Sequence, residues 1–154
     1  MISSRGNLNG MAPPWNREAE ALIERIRSAL AHEHGLRVAV GFGSTGRGTA
    51  GAGSDIDVGI LPSVSMKLGD ELGLEGRLEA TLGRPVDVVR IDLADPALRW
   101  RIARDGIVVL ANPPHEGSRF LARAASEHDE LAPLFEDAAR RYAASVKRAA
   151  GGSP

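Results

Sequence analysis

An α/β fold built on a small mixed sheet of about four strands is what this sequence predicts, and three features predict it. Short β-branched runs alternate with helical periodicities, glycines gather between two of those runs, and aspartates interrupt strands that are otherwise apolar. Helices are expected on one face of the sheet, with others flanking it at the N- and C-terminal ends.

Residues 1–14 are rich in Ser, Asn, Gly and Pro without periodicity and are expected to be disordered, with Met11 as a second candidate start. A single folded domain is expected over residues 15–112, followed by a C-terminal helical segment over residues 113–150. From Asn16 onward Ala19, Leu22, Ile23, Ile26 and Leu30 follow helical spacing, and Gly35 supplies a stop. Leu36 to Phe42, Ser54 to Leu61 and Pro85 to Ile91 read as strands. Between the last two, Ser65 to Leu82 has leucines at helical spacing but contains Gly69, Gly73 and Gly76, each costing about 1 kcal/mol against Ala, so an irregular helix is expected. Asp95 and Pro96 form an N-cap and N1 pair for a helix reaching Asp105, and Ile107 to Leu110 is a fourth strand. In the tail, Leu131, Leu134, Phe135, Ala138, Tyr142 and Val146 line one helical face. Pro133 and the Asn112-Pro113-Pro114 run predict kinks or breaks there. That apolar face is expected to pack partly on the sheet domain and partly on a partner.

Composition narrows the function classes. With 19 Lys plus Arg against 20 Asp plus Glu, non-specific nucleic-acid binding is not expected. The absence of cysteine excludes disulfides, thiolate chemistry and Cys-ligated zinc. No apolar run approaches the roughly 18 residues needed to span a bilayer, and no apolar signal-peptide core stands at the N-terminus, so a cytoplasmic protein without a membrane partner is expected. In 154 residues there is little room for a separate substrate-binding domain, and a second macromolecule is expected to complete the system.

The chemistry concentrates between Gly41 and Ile60. A strand runs into a loop containing Gly43, Ser44, Gly46, Gly48, Gly51 and Gly53, followed by Asp55-Ile56-Asp57. Glycines let backbone N–H groups approach phosphate oxygens, and the Ser44 hydroxyl adds a donor. Residues two apart on a strand share a face, so Asp55 and Asp57 are expected to project together while Ile56, Val58 and Ile60 face the helices. Two carboxylates so placed suit hard divalent cations, which also prefer phosphate oxygens. Asp87 breaks the next strand, with Val86 and Val88 on one face and Val89 and Ile91 on its own. If the two strands are neighbours, Asp87 completes a carboxylate triad able to hold a metal or accept a proton. The loop lacks the Gly-Lys-Ser/Thr ending of a Walker A motif. His32, His34, His115 and His128 have no metal-ligand spacing and read as surface residues. Tyr142, on an apolar helical face, reads as core or interface.

The order Gly43-Ser44, ten residues, Asp55-Ile56-Asp57 resembles the signature of the minimal nucleotidyltransferases (MNT) in the DNA-polymerase-β superfamily. Downstream, Pro96 to Leu110 with Arg99, Arg101 and Asp105-Gly106, and the tail around Arg123 to Tyr142, are similar to the MNT-type antitoxins paired with HEPN ribonuclease toxins. The resemblance covers about Leu36 to Arg148. It implies catalytic and metal-binding roles for Asp55, Asp57 and Asp87, and nucleotide contacts from Gly43, Ser44, Thr45, Arg47 and Ser54. It further implies Mg²⁺ as a pair of ions, or Mn²⁺, ATP as donor, and a tyrosine of a HEPN-type toxin as acceptor in a hetero-oligomer. Family members often carry Arg after the Gly-Ser pair and Arg-Pro-Asp before the Ser-Asp. Here Thr45 and Gly51 to Gly53 stand in those places, and Arg47 is the nearest cation. Two alternatives are small-molecule nucleotidylation of the aminoglycoside-modifying kind and neutralisation of a partner by occlusion without catalysis.

Overall fold

The computed structural model describes residues 17–151, so the segment expected to be disordered lies outside the described residues. In chain order the elements are α1 (Arg17–Leu30), β1 (Leu36–Phe42), α2 (Gly43–Arg47), β2 (Ile56–Pro62), α3 (Leu68–Leu82), β3 (Val86–Arg90), α4 (Pro96–Asp105), β4 (Ile107–Ala111) and α5 (His115–Ala150). The four strands form one sheet in the order β3-β2-β1-β4. β1 is antiparallel to both β2 and β4, whereas β2 and β3, joined through α3, run parallel. A parallel pair needs a crossover of a dozen or more residues, which α3 and its flanks supply.

Both faces of the sheet are apolar over most of their area. On one, Ile56, Val58 and Ile60 of β2 and Val86 and Val88 of β3 pack with Ile23, Ile26 and Leu30 of α1 and Leu74, Leu78 and Leu82 of α3. This is the helix-covered side expected of the alternating strand residues. On the other, Val38, Val40 and Phe42 of β1 and Ile91 meet Ile102 and Ala103 of α4 and Phe120 and Ala124 of α5. The second face is therefore covered in part by α4, from within the expected domain, and by the C-terminal α5. A register shift between Leu36 and Val38 changes the alternation in β1, which places Leu36 and Ala39 on the first face and Val38 and Val40 on the second.

The outer edge of β3 is closed by α3. The Val86 and Val88 amides donate to the carboxylates of Glu79 and Glu75, at 3.1 Å in each case. An edge strand whose N–H groups are occupied in this way offers no template to another chain. Asp95 caps α4 as expected, its carboxylate accepting from the Leu98 amide at 2.8 Å, with Pro96 at the first helical position.

Two expectations are corrected. Ser65 to Leu82 does not form an irregular helix: Leu68–Leu82 is an unbroken helix whose start is held by the Asp70 carboxylate, which accepts from the Lys67 amide at 3.0 Å. Burial of Leu74, Leu78 and Leu82 against the sheet outweighs the glycine cost. Pro133 does not break the tail, since α5 runs through it from His115 to Ala150. Helix on both sides of the proline and an exposed position for its ring tolerate the one lost hydrogen bond.

Glycine positions differ sharply in what a side chain would meet. A Cβ on Gly106 would lie 2.2 Å from the Ile102 carbonyl oxygen and 2.3 Å from Val40, while one on Gly76 would meet nothing within 4 Å. Gly76→Ala is therefore expected to stabilise the protein by about 1 kcal/mol, and Gly106→Ala to destabilise it by at least about 1–3 kcal/mol, the usual range for overpacking. Urea denaturation midpoints of the two variants, moving in opposite directions, check this.

Candidate active site

The acidic residues come together through strand register. In the β2–β3 ladder Asp57 stands opposite Asp87, and in the β1–β2 ladder Asp57 stands opposite Phe42, the residue before Gly43. Val89 and Ile91 follow Asp87 on the same face, and Gly59 follows Asp57 there. A Cβ on Gly59 would meet Ile91 and Ile102 at 3.2–3.3 Å, so α4 lies over this stretch of the face. The face is thus apolar beneath α4 and acidic at the starts of β2 and β3.

Asp55 lies one residue before β2 begins, so the predicted strand Ser54 to Leu61 starts two residues later in the structure. Asp55 and Asp87 are exposed and Asp57 is half-buried. Burial, and then the charges of Asp87 and Asp55, raise the Asp57 carboxyl above its ordinary value, with Arg47 opposing them. The other two predicted carboxylates and the predicted cation thus all act on Asp57. Among the described residues no three Asp, Glu or His side chains already form a metal cage. The donor set nevertheless suits a hard cation that takes its remaining ligands from phosphate and water, as Mg²⁺ does.

The glycine loop is built against these carboxylates. Gly43 has φ of +60°, and a Cβ there would lie 2.5 Å from Asp57 Oδ2. Only glycine both adopts that backbone region without strain and leaves room for the carboxylate. From Gly43 the chain turns directly into α2. The Ser44 carbonyl accepts from the Thr49 and Ala50 amides at 3.0 and 3.1 Å, closing the loop behind the helix. Ser44 is partly exposed and Arg47 is exposed, both available at the surface. Thr45 is 1% exposed, and its hydroxyl has no hydrogen-bond partner among the described residues. Its side chain is a packing group beneath the loop. Ser54 Oγ accepts from the Gly51 amide at 3.1 Å, so its hydroxyl already latches the segment that delivers Asp55.

Two features of the site escape sequence reasoning. Arg84 donates to the carbonyls of Gly51, at 2.6 Å, and Ser54, holding the turn before Asp55 from across the sheet edge. Nothing in an arginine ahead of Pro85 signals that contact. Gly46, grouped by sequence with the phosphate-loop glycines, is instead a packing residue: a Cβ there would sit 2.5 Å from the Asp105 carbonyl oxygen and 2.7 Å from that of Gly41. It lets α2 seat on the α4–β4 junction.

The model of the family described as Polymerase beta, Nucleotidyltransferase matches residues 24–115. A curated protein of Methanocaldococcus jannaschii, named as a candidate protein adenylyltransferase, is 35% identical over 88 residues, covering 57% of this chain and 95% of the relative. Among solved structures, a chain of a toxin–antitoxin crystal structure with AMP-PNP superposes with a TM-score of 0.61 at 21% identity, over 75% of this chain and 97% of the other. A chain from the complex of a tri-AMPylated Shewanella oneidensis HEPN toxin with an MNT antitoxin superposes with a TM-score of 0.59 at 18% identity, over 78% and 98%. At these identities the likeness establishes the fold.

The raised Asp57 carboxyl carries a stability consequence. Between the ordinary aspartate value and the raised one, the folded state binds more protons than the unfolded state, so this group's contribution to stability falls as pH rises through that window. In the presence of chelator, Asp57→Asn is expected to melt higher than the parent protein at neutral pH, and the difference should vanish below the window. Added Mg²⁺ should raise the melting temperature of the parent protein and leave Asp57→Asn nearly unmoved. Thermal melts across pH, with and without the ion, provide the measurement.

Proposed function

This chain belongs to the polymerase β nucleotidyltransferase family, and on that premise we propose that it transfers AMP from ATP to a tyrosine of a HEPN-type ribonuclease toxin, silencing it as an antitoxin. The observation that carries the reading is the contact of Gly43 with Asp57, which in turn stands opposite Asp87. A phosphate-approach loop and a paired carboxylate site are thereby one structure. The relatives support the donor and acceptor: one was crystallised with AMP-PNP, and another complex contains an AMPylated HEPN toxin.

In the proposed reaction the Gly43 and Ser44 backbone amides, the Ser44 hydroxyl and Arg47 receive the triphosphate. Thr45 contributes through its position in the loop, and Ser54 by holding the turn that carries Asp55. Asp55, Asp57 and Asp87 would hold Mg²⁺, which when bound neutralises the phosphate charge and polarises the α-phosphorus. Asp87, exposed beside Asp57, accepts the proton from the attacking tyrosine hydroxyl. The tyrosine oxygen forms a bond to the α-phosphorus as the bond from that phosphorus to the bridging oxygen breaks, and pyrophosphate leaves. A bulky anion on the toxin then opposes its approach to the RNA backbone.

Incubating the chain with ATP, Mg²⁺ and the HEPN protein encoded beside it should add whole adenylyl groups to a tyrosine, seen by intact-mass spectrometry and peptide mapping. Ribonuclease activity should fall in step. Asp55→Asn should abolish both effects; a toxin of unchanged mass that this variant still neutralises would establish occlusion instead. Within the triad, Asp87→Asn is expected to lower kcat by about 10²–10⁴, the range for loss of a general base, with KM for ATP nearly kept. Steady-state kinetics decide this, because an equal loss of ATP affinity would make Asp87 chiefly a metal ligand.

A further inference from the structure

The limb that delivers Asp55 has little packing to fix it. It leaves the body at Ala50, which is buried and whose amide donates to the Ser44 carbonyl at 3.1 Å. It rejoins the sheet at Ile56, whose amide donates to the Pro85 carbonyl at 3.0 Å. Between these anchors Gly51, Ala52, Gly53 and Asp55 are exposed. A Cβ on Gly53 would meet nothing within 4 Å, and one on Gly51 would meet only Ser54 Oγ, at 3.9 Å. A glycine-rich stretch without neighbours gives up much conformational entropy when held in one shape, so polar contacts have to define that shape.

Within the turn, the Ser54 amide donates to the Gly51 carbonyl and the Gly51 amide to Ser54 Oγ, both at 3.1 Å. These bonds are internal: they set the shape of the turn but not its place. Its place is set by Nη2 of Arg84, which donates to the Gly51 carbonyl at 2.6 Å and also to the Ser54 carbonyl. Both partners are backbone carbonyls, and the Arg84 Nε is buried without a hydrogen-bond partner among the described residues. An unpartnered buried donor is a cost, so the two carbonyls are what orients the guanidinium. Arg84 stands directly before Pro85 and three residues before Asp87. The chain that carries Asp87 therefore holds the turn that carries Asp55.

We propose that Arg84 is a positioning residue for the carboxylate site: by holding Gly51 and Ser54 it fixes where Asp55 stands relative to Asp57 and Asp87, and so sets the affinity and selectivity of the site for a divalent cation. The inference rests on the reading of these carboxylates as metal ligands. Mg²⁺ demands near-ideal octahedral geometry whereas Ca²⁺ accepts flexible arrangements, so a displaced Asp55 costs Mg²⁺ affinity first. Charge acts in the opposite sense. Removing a positive group near three carboxylates would, by electrostatics alone, strengthen cation binding.

Arg84→Met keeps an apolar stem and removes the donors. Cation binding by the full chain without nucleotide is read from the free-ion EPR signal of Mn²⁺ and its displacement by Mg²⁺ or Ca²⁺. In Arg84→Met the Mg²⁺ affinity is expected to fall by about 10–100-fold, the range for losing a group that orients a metal ligand, with a smaller loss for Ca²⁺. Arg84→Lys, which can still donate to both carbonyls, should recover most of it. Hydrogen exchange of the metal-free protein locates the change: the Ser54 amide should exchange faster in Arg84→Met, while the Val86 and Val88 amides, held by Glu79 and Glu75, stay protected. Mg²⁺ affinity that is unchanged or higher in Arg84→Met, equal losses for the two ions, no recovery in Arg84→Lys, or exchange that quickens along β3 as well would overturn the proposal. A parent chain that binds a divalent cation no better than Arg84→Met sinks this inference alone, whereas a parent chain that binds none sinks the metal-site reading together with it.

Discussion

Like charges held beside one another at the starts of two parallel strands are the constraint on which the rest of the molecule turns. Asp57 and Asp87 are level because β2 and β3 run parallel in register, and that arrangement requires the α3 crossover between them. Burial of Asp57, and then repulsion from Asp87 and Asp55, are unfavourable to its charged form, and together they raise its carboxyl. The arrangement persists because the strands are fixed elsewhere: Ile56, Val58, Val86 and Val88 are buried on the opposite face, and α3 glutamates hold the edge of β3.

The backbone around that point is shaped by close approach. Gly43 yields its side-chain volume to the Asp57 carboxylate, while Gly46 and Gly106 yield theirs to neighbouring carbonyls where α2 meets the α4–β4 junction. The loop is a short helix seated on the body at its rear and open toward the carboxylates at its front. Arg84 and Ser54 hold the other limb, so the segment leading to Asp55 is pinned from both sides. Preorganisation of this kind lowers the entropy that a polyanionic ligand must remove on binding.

α5 serves two neighbourhoods with one amphipathic pattern. Its first half completes the sheet's second face, where Phe120 and Ala124 pack with Ile102 and Ala103. Its second half extends the same line beyond residue 128, where Phe135, Tyr142 and Val146 are exposed. The proline at 133 lies in that outer half, where one missing backbone hydrogen bond faces solvent.

Local patterns were enough to determine the order of elements apart from α2, which read as loop, and also the four strands, the Asp95 cap and the face of β2 that meets the helices. These rest on periodicity and capping, which act over a few residues. The spacing of Gly43-Ser44 from Asp55-Ile56-Asp57 also pointed to the family, because the residues that carry its signature lie close together in the sequence. Tertiary structure alone decided that Asp87 stands opposite Asp57, since register between strands separated by a helix is set by the packing of both faces. It alone turned Thr45 inward, assigned Gly46 to packing, recruited Arg84 to the loop and kept α3 helical through three glycines. Each of these depends on which surfaces meet across long stretches of chain, and a linear pattern carries no record of that meeting.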